Sequence, residues 1–235
     1  KTAYEILTCD WSSDVCSSDL GYHTGLVGKY LNGYPFDHGP YVPEAWDRWW
    51  GKVQGSPESL YYDFRLVEQG VEAAYGDDED DYSTDVYADK ALQFIREAPS
   101  YRPFFLWLAP TAPHPPWVSA PRHEGRYQDL SVPTLPSTGE LDVSDKPAWV
   151  RALEPFDADD FASVRAARRS SYEALLAVDE AVQRIVVALR DRDELEETVI
   201  VYLSDNGFAF GEHRWVMKIC PYDECIRVDR KSTRL

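Results

Sequence analysis

The apolar residues of the chain follow two kinds of pattern. Residues 104–108 and 198–203 are continuous apolar runs, which are typical of strands buried on both faces of a parallel sheet. Residues 88–95 and 175–189 instead place apolar side chains three and four positions apart, which predicts one buried face of a helix. The order helix, strand, helix, strand predicts an α/β domain with a largely parallel sheet.

The remaining segments add strands and loops to this framework. Residues 21–31 have a short β-prone centre bracketed by glycines, and residues 60–67 alternate enough to form a strand of a hairpin. Thr84 or Asp85 is a candidate N-cap for the first helix. Residues 110–148 are rich in proline and predict a long loop of the kind that often has a functional role. The acidic run 77–81 is more typical of a solvated loop than of a metal site.

Both ends of the chain read as translated sequencing-adapter DNA. One oligonucleotide, read in opposite senses, encodes DWSSDVCSSDL near the start and DRKSTRL at the end. We therefore expect residues 1–20 and 229–235 to lie outside the natural protein, against the alternative of a natural Ser/Asp-rich leader and basic tail. Residues 21–228 then form one incomplete domain. Its only cysteines are Cys220 and Cys225, which predict no disulfide framework.

Charge limits the classes of partner. The formal net charge is −17, from 24 basic and 41 acidic residues, and no basic stripe interrupts it. Binding to nucleic acid is therefore not expected. No apolar run approaches the roughly 18 residues that a membrane-spanning helix needs, so we expect no membrane span. Any site for an anion has to be basic locally, because the overall field repels anions.

Polar residues that suit anion and metal chemistry follow three of the predicted strands. Lys29 follows the first strand, His114 lies on the proline-rich loop after the run 104–108, and Asp205 and Asn206 follow the second apolar run. Each alone is more typical of a solvated lysine, a loop histidine or an Asx turn. Together, at the carboxyl ends of parallel strands, they would meet at one rim. A cation site beside basic groups suits hydrolysis of a sulfate or phosphate ester.

Three motifs then point to a family. GYHTGLVGKYLNGY resembles the second sulfatase signature, GY-x-T-x-x-x-GK. APTAPHPP resembles the APH loop of sulfatases, and YLSDNG followed by GEHR and a lysine resembles their DNG-to-lysine segment. The resemblance covers nearly all of residues 21–228, in family order. The segment GKYLNGY is most similar to the N-acetylglucosamine-6-sulfatase branch, within a family that includes arylsulfatases.

The resemblance implies a fold and a set of site residues. The fold would be an incomplete alkaline-phosphatase-like α/β/α sandwich, and residues 21–228 would be part of a sulfatase catalytic domain. Catalytic and sulfate-binding roles would belong to Lys29, His114 and Lys218, with His213 binding substrate or supporting a residue that does. Asp205 and Asn206 would ligate calcium.

The family's nucleophile is missing from the chain. Sulfatases use a formylglycine made from Cys or Ser, and the resemblance places it upstream of Gly21, but no Cys-x-Pro-Ser-Arg motif occurs. Leu31 also stands where many members have histidine. We therefore expect an inactive fragment of a parent that cleaves sulfate esters of sugars or aryl alcohols and that, if typical, is secreted or periplasmic. The alternatives are a phosphodiesterase or phosphomutase of the same superfold, and a non-catalytic relative that binds sulfated glycans.

Overall fold

A computed structural model describes residues 20–228 and the backbone of residues 230–234. Most of the segment predicted to be adapter-derived at the start, residues 1–19, lies outside the described residues, as do residues 229 and 235. Within residues 20–228, none of the helices combines the length and the apolar character needed to cross a bilayer.

The central sheet has five strands in the order β4-β3-β2-β1-β5. In chain order these are β1 (His23–Gly28), β2 (Arg48–Lys52), β3 (Arg65–Glu68), β4 (Val71–Ala74) and β5 (Phe104–Ala109). β1 runs parallel to both of its neighbours, β2 and β5, whereas β3 is antiparallel to β2 and to β4. The α/β class is confirmed, but the sheet is mixed. The two-residue turn between β3 and β4 is the reason, since so short a connection joins only antiparallel strands.

The helices are α1 (Ser83–Glu97), α2 (Ala148–Arg151), α3 (Ala158–Asp191) and α4 (Asp223–Ile226). The two long helices, α1 and α3, supply much of the core. Both predicted amphipathic helices are confirmed as α1 and α3, although α1 has its N-cap at Tyr82, ahead of both predicted positions. A buried cluster joins β1, β2, β3, α1 and α3 and includes Val27, Trp50, Leu66, Phe94 and Leu189. The capping box at Asp157 and Asp160 fixes the start of α3.

The two apolar runs form strands, but neither is buried as predicted. β5 is an edge strand that pairs only with β1 among the described strands, and its Trp107 is 44% exposed. The second run forms β6 (Val199–Leu203), which pairs with the backbone of β9 (Arg230–Arg234) outside the central sheet. Val199 is 64% exposed. An apolar run favours extended backbone, but which elements cover it depends on tertiary contacts that the run does not specify.

The long proline-rich excursion is confirmed as a loop. Between β5 and α2 it contains one described 3₁₀ turn, Pro121–His123. Arg122 fastens this turn to both long helices, with 2.7 and 2.8 Å hydrogen bonds to Asp85 and a 2.6 Å hydrogen bond to Glu180. A bidentate guanidinium–carboxylate pair fixes direction as well as distance, so this loop has a defined position on the domain.

Smaller elements refine two further predictions. The predicted strand over residues 60–67 is only partly correct, because a 3₁₀ turn, Pro57–Leu60, precedes β3 and β3 begins at Arg65. The acidic run contains a 3₁₀ turn, Glu79–Asp81, and is largely exposed. Two short strands, β7 (Ala209–Phe210) and β8 (Val216–Met217), form a separate antiparallel pair after β6.

Candidate functional site

The carboxyl ends of β1 and β5 lie side by side. Gly28 ends β1 with φ +101°, and a Cβ at this position would come within 2.2 Å of the Ala109 carbonyl oxygen. Only glycine tolerates both the backbone angle and the close approach. The Lys29 N–H then donates to the same carbonyl oxygen at 2.8 Å. Half-buried Lys29 and the loop that follows β5 therefore leave the sheet at one rim, as predicted.

His114 lies on that loop, exposed and held from two sides. Its N–H donates to the Thr111 carbonyl at 2.9 Å, and the hydroxyl of buried Tyr61 donates to the His114 carbonyl at 2.5 Å. The ring Nδ1 lies 2.7 Å from the Pro115 carbonyl oxygen. Since a carbonyl only accepts, Nδ1 has to hold a proton. In the neutral ring, Nε2 is then the free acceptor.

A ring contact joins the His114 loop to the Asp205–Asn206 segment. Trp117, whose N–H donates to the His114 carbonyl at 3.2 Å, packs its ring edge-to-face on Phe208 with centroids 5.8 Å apart. Phe208 follows Asn206 by two residues. The two loops are therefore neighbours, although β6 does not belong to the sheet that positions Lys29 and His114.

Asp205 and Asn206 offer oxygen ligands of the type that hard cations prefer. Asp205 is exposed, and the Asn206 amide donates through Nδ2 to the Gly207 carbonyl at 2.7 Å, which leaves its Oδ1 as an acceptor. Calcium takes six to eight oxygen ligands. No group of three or more His, Cys, Asp or Glu side chains suited to a metal occurs within the described part of the chain. The two residues fit such a cation in chemistry but do not complete its coordination.

One cavity brings Asn206 and Lys218 together. Its volume is about 910 Å³, and its lining residues are Trp149, Asn206, Trp215, Lys218, Ile219, Cys220 and Pro221. Lys218 is half-buried there. Asn206 and Lys218 therefore line the same space, which is open to solvent and is otherwise walled mainly by apolar side chains.

A disulfide fixes one wall of this cavity. Cys220 and Cys225 are joined, so the expectation of no disulfide framework is wrong for this pair. Buried Cys225 also accepts a hydrogen bond from the Gly207 N–H at 2.9 Å through its carbonyl. The bridge thus links the loop that holds Lys218 to the loop that holds Asn206.

His213 is held by the long excursion rather than exposed in the cavity. Its Nδ1 lies 2.8 Å from Glu140 Oε2, and its ring stacks on Tyr222 with centroids 4.1 Å apart. Lys146 approaches the other Glu140 oxygen at 3.2 Å. The hydrogen bond from His213, aided by Lys146, lowers the pKa of Glu140. His213 does not line the cavity, and its described contacts are with Glu140 and Tyr222.

Comparison of the chain with known proteins identifies its family. A family model described as "Sulfatase" matches residues 17–229. The chain belongs to the sulfatase family. It is 32% identical over 234 residues to an arylsulfatase of Volvox carteri and 32% identical over 203 residues to the human N-acetylglucosamine-6-sulfatase, with 89% and 84% of this chain covered. It spans 35% and 36% of their lengths, about a third of each relative.

A solved structure supports the fold of the sulfatase chain. The structure of BT4656 in complex with its substrate D-glucosamine-2-N,6-O-disulfate matches with a TM-score of 0.66 and 23% identity, over 95% of this chain and 55% of that one. The predicted alkaline-phosphatase-like α/β class is thereby confirmed. The boundaries of the predicted domain, 21 and 228, stay a prediction.

Two structural features thus bring candidate residues of the sulfatase chain together. The sheet brings Lys29 and the His114 loop to one rim, and the cavity brings Asn206 and Lys218 together. The contact between Trp117 and Phe208 connects the two groups.

Sequence reasoning missed several residues that support these groups, namely Tyr61, Glu140, Trp149 and the Cys220–Cys225 bridge. The close spacing of the two cysteines was a usable signal. The other three depend on contacts between distant segments, for which the sequence offers no periodic pattern.

Proposed function

We propose that this chain is the part of a longer sulfatase that binds the sulfate group of its substrate, and that the longer protein hydrolyses sulfate esters of sugars or aryl alcohols. The observation that supports this most strongly is the shared cavity of Asn206 and Lys218, next to the His114 loop, in a chain of the sulfatase family. The names of the relatives support the substrate class, since they include an arylsulfatase and an N-acetylglucosamine-6-sulfatase.

Each proposed role follows from the chemistry of the side chain. The ammonium groups of Lys29 and Lys218 would neutralise sulfate oxygens from two sides, where charge has to be stabilised as the ester bond breaks. His114 keeps a proton on Nδ1, so Nε2 is the atom that would exchange a proton with the leaving oxygen. His213, oriented by Glu140, would support the cavity wall from behind.

Two further components would complete the reaction. Calcium, with Asp205 and Asn206 among its ligands, would supply fixed positive charge beside the sulfate. The nucleophile would come from outside this chain, which contains no Cys-x-Pro-Ser-Arg segment. We propose a secreted or periplasmic location, and the Cys220–Cys225 disulfide supports it because such bonds persist in oxidising compartments.

Two measurements on the purified 235-residue chain test this proposal. Isothermal titration with sodium sulfate should give binding that Lys218→Ala and Lys29→Ala each weaken by about 10-fold or more, because a contact between charged groups contributes roughly 1.5–3 kcal/mol. Lys90→Ala removes the same charge from a lysine of α1 that pairs with Glu68 and does not line the cavity, and should bind sulfate like the unchanged chain. Phenyl sulfate incubated with the chain should release no sulfate.

The outcomes separate the parts of the proposal. Unchanged sulfate binding in both lysine variants would overturn the anion site. Stronger binding of inorganic phosphate than of sulfate would favour the phosphoryl-transfer alternative. Release of sulfate from phenyl sulfate by the chain alone would show that the nucleophile lies within it.

A further inference from the structure

We propose that Lys52 is a positioning residue of the anion site: its buried ammonium group holds positive charge behind the sheet rim, and a sulfate bound at that rim is its counter-ion. This inference rests on the proposed function, because it takes the rim near Lys29 as part of the place where sulfate binds. Lys52 acts through its electric field and through the loops that it supports, without touching the sulfate.

The register of the parallel strands places Lys52 beside Lys29. Gly28 of β1 pairs with Gly51 of β2, so the next residues, Lys29 and Lys52, lie at the same edge of the sheet. Neighbouring strands are about 4.8 Å apart. The His114 loop leaves this edge as well, because β5 is the parallel neighbour of β1 on its other side. The backbones of two lysines are therefore adjacent at the rim.

The side chain of Lys52 is buried without a carboxylate partner. Only 7% of the residue is exposed. Its Nζ donates to the Ser59 carbonyl oxygen at 2.9 Å and lies 5.2 Å from the centroid of the Phe64 ring. A carbonyl and a ring face compensate a buried cation only in part, and an uncompensated buried charge destabilises the fold.

The described charges around Lys52 do not compensate it. Burial lowers the pKa of Lys52 to about 8, and repulsion from Arg65 on β3 adds to this effect. Lys29 on β1 has the same sign. Glu58, in the adjoining turn, is exposed and forms no ion pair with Lys52. Burial raises the pKa of two tyrosine hydroxyls of this region, which stay uncharged near pH 8, namely Tyr61 and Tyr87.

Lys52 also supports the loop that holds His114. The Ser59 carbonyl that accepts from Lys52 belongs to the turn Pro57–Leu60, and Tyr61 follows this turn directly. The Tyr61 hydroxyl donates to the His114 carbonyl. Two hydrogen bonds and one turn therefore connect the buried ammonium group to the proposed site.

Anion binding at the rim is coupled to protonation of Lys52. A nearby negative charge favours the charged amine and raises its pKa, and by linkage the protonated chain binds the anion more tightly. Because the pKa in the free chain is about 8, sulfate affinity should fall as the pH rises from 7 to 9. An affinity difference of about fivefold between the two protonation states implies uptake of about 0.3 proton per sulfate at pH 8.

Calorimetry with sodium sulfate measures this uptake. At pH 8, titration of the 235-residue chain in buffers with different ionisation enthalpies should give a binding heat that depends on the buffer and corresponds to about 0.3 proton. Lys52→Met, of similar length but without charge, should abolish the uptake and weaken sulfate binding about fivefold at pH 7. Lys90→Met is the matched control and should change neither, because Lys90 also lies over a ring, that of Tyr75, but pairs with Glu68.

The stability of the variant separates an electrostatic role from a purely structural one. Loss of a residue that only supports the fold lowers both the free energy of unfolding and the sulfate affinity. Lys52→Met should instead raise the free energy of unfolding without sulfate, because it removes an uncompensated buried charge, while it lowers the affinity. Lys52→Gln retains an N–H donor for the Ser59 carbonyl, and repeats the comparison if circular dichroism shows that Lys52→Met does not fold.

The outcomes distinguish failure of this inference from failure of the proposed function. If sulfate does not bind the unchanged chain, or if Lys29→Ala and Lys218→Ala leave its affinity unaltered, both proposals are overturned. If those two variants weaken sulfate binding while Lys52→Met retains the affinity and the proton uptake, the role of Lys52 is overturned and the sulfate site stands.

Discussion

Gly207→Ala should displace the loop that holds Asn206. Gly207 packs directly on the backbone of α4, and a Cβ at this position would lie 2.1 Å from the Glu224 carbonyl oxygen and 3.0 Å from the Arg227 carbonyl oxygen. Both neighbours are backbone atoms, so no side-chain rotation relieves the overlap. The loop and α4 have to separate by about 1 Å to reach ordinary contact, and overpacking of this kind typically costs about 1–3 kcal/mol.

The separation also weakens a hydrogen bond. Gly207 donates to the Cys225 carbonyl at 2.9 Å, and loss of one such bond costs about 1 kcal/mol. The sum is about 2–4 kcal/mol, which for a chain of this size corresponds to a fall in melting temperature of roughly 4–16 °C if the loop unfolds with the domain. Because Asn206 precedes Gly207 and lines the cavity with Lys218, sulfate affinity should fall as well.

Thermal unfolding and sulfate titration of the same sample measure both effects. Gly76→Ala is the matched control, because the nearest atom to its new Cβ is an Asp81 carboxylate oxygen at 3.2 Å, the end of a flexible side chain. The control should melt within about 2 °C of the unchanged chain. If Gly207→Ala has the melting temperature and sulfate affinity of the control, the close packing of this loop on α4 is wrong.

Three further changes have expected outcomes. Replacing Cys220 and Cys225 together by serine should lower the free energy of unfolding by about 2 kcal/mol in denaturant titrations, from the loop entropy of a five-residue separation. Burial lowers the pKa of Lys52 from an ordinary 10.5 to about 8, so the unfolded chain binds more protons between these values and stability should rise with pH across that range. Lys52→Met should therefore stabilise the chain by about 1–3 kcal/mol at pH 7, with the gain shrinking towards pH 10.5. Tyr61→Phe removes the hydrogen bond to the His114 carbonyl and should cost about 1 kcal/mol while increasing amide exchange around His114.

Each of these has a clear contrary result. Equal stability of the serine double variant and the unchanged chain under oxidising conditions would mean that the bridge is absent in solution. A gain from Lys52→Met that stays constant from pH 7 to pH 10.5 would show that charge burial is not its cause. Unaltered exchange around His114 in Tyr61→Phe would remove Tyr61 as a support of that loop.

The local pattern of apolar residues was sufficient to predict the two long helices and the strand ends that carry Lys29 and the His114 loop. Helix-spaced apolar residues predicted α1 and α3, and adjacent parallel strands predicted that Lys29 and the His114 loop would share one edge. Both inferences depend only on backbone periodicity and on strand direction. Sequence patterns express these directly.

The placement of β6 and the cavity walls could not be predicted in the same way. The run that forms β6 favours a strand, but its neighbour is decided by long-range pairing, and it pairs outside the central sheet. Trp149 packs on Trp215, and next to this contact Arg214 hydrogen-bonds two carbonyls that lie more than 60 residues earlier in the chain. Asp205 and Asn206 are consequently connected to the His114 loop by the ring contact of Phe208 with Trp117, and not by a shared rim of the central sheet.

A crystal structure of the chain grown with sulfate tests the central claim most directly. We predict one sulfate ion with oxygens about 2.7–3.2 Å from the Nζ atoms of both Lys29 and Lys218, within reach of His114 Nε2 and next to Asp205 and Asn206. The claim that these residues form a single sulfate site would be contradicted if Lys29 and Lys218 lay on separate faces. Sulfate would then be bound to one of the two lysines or to neither.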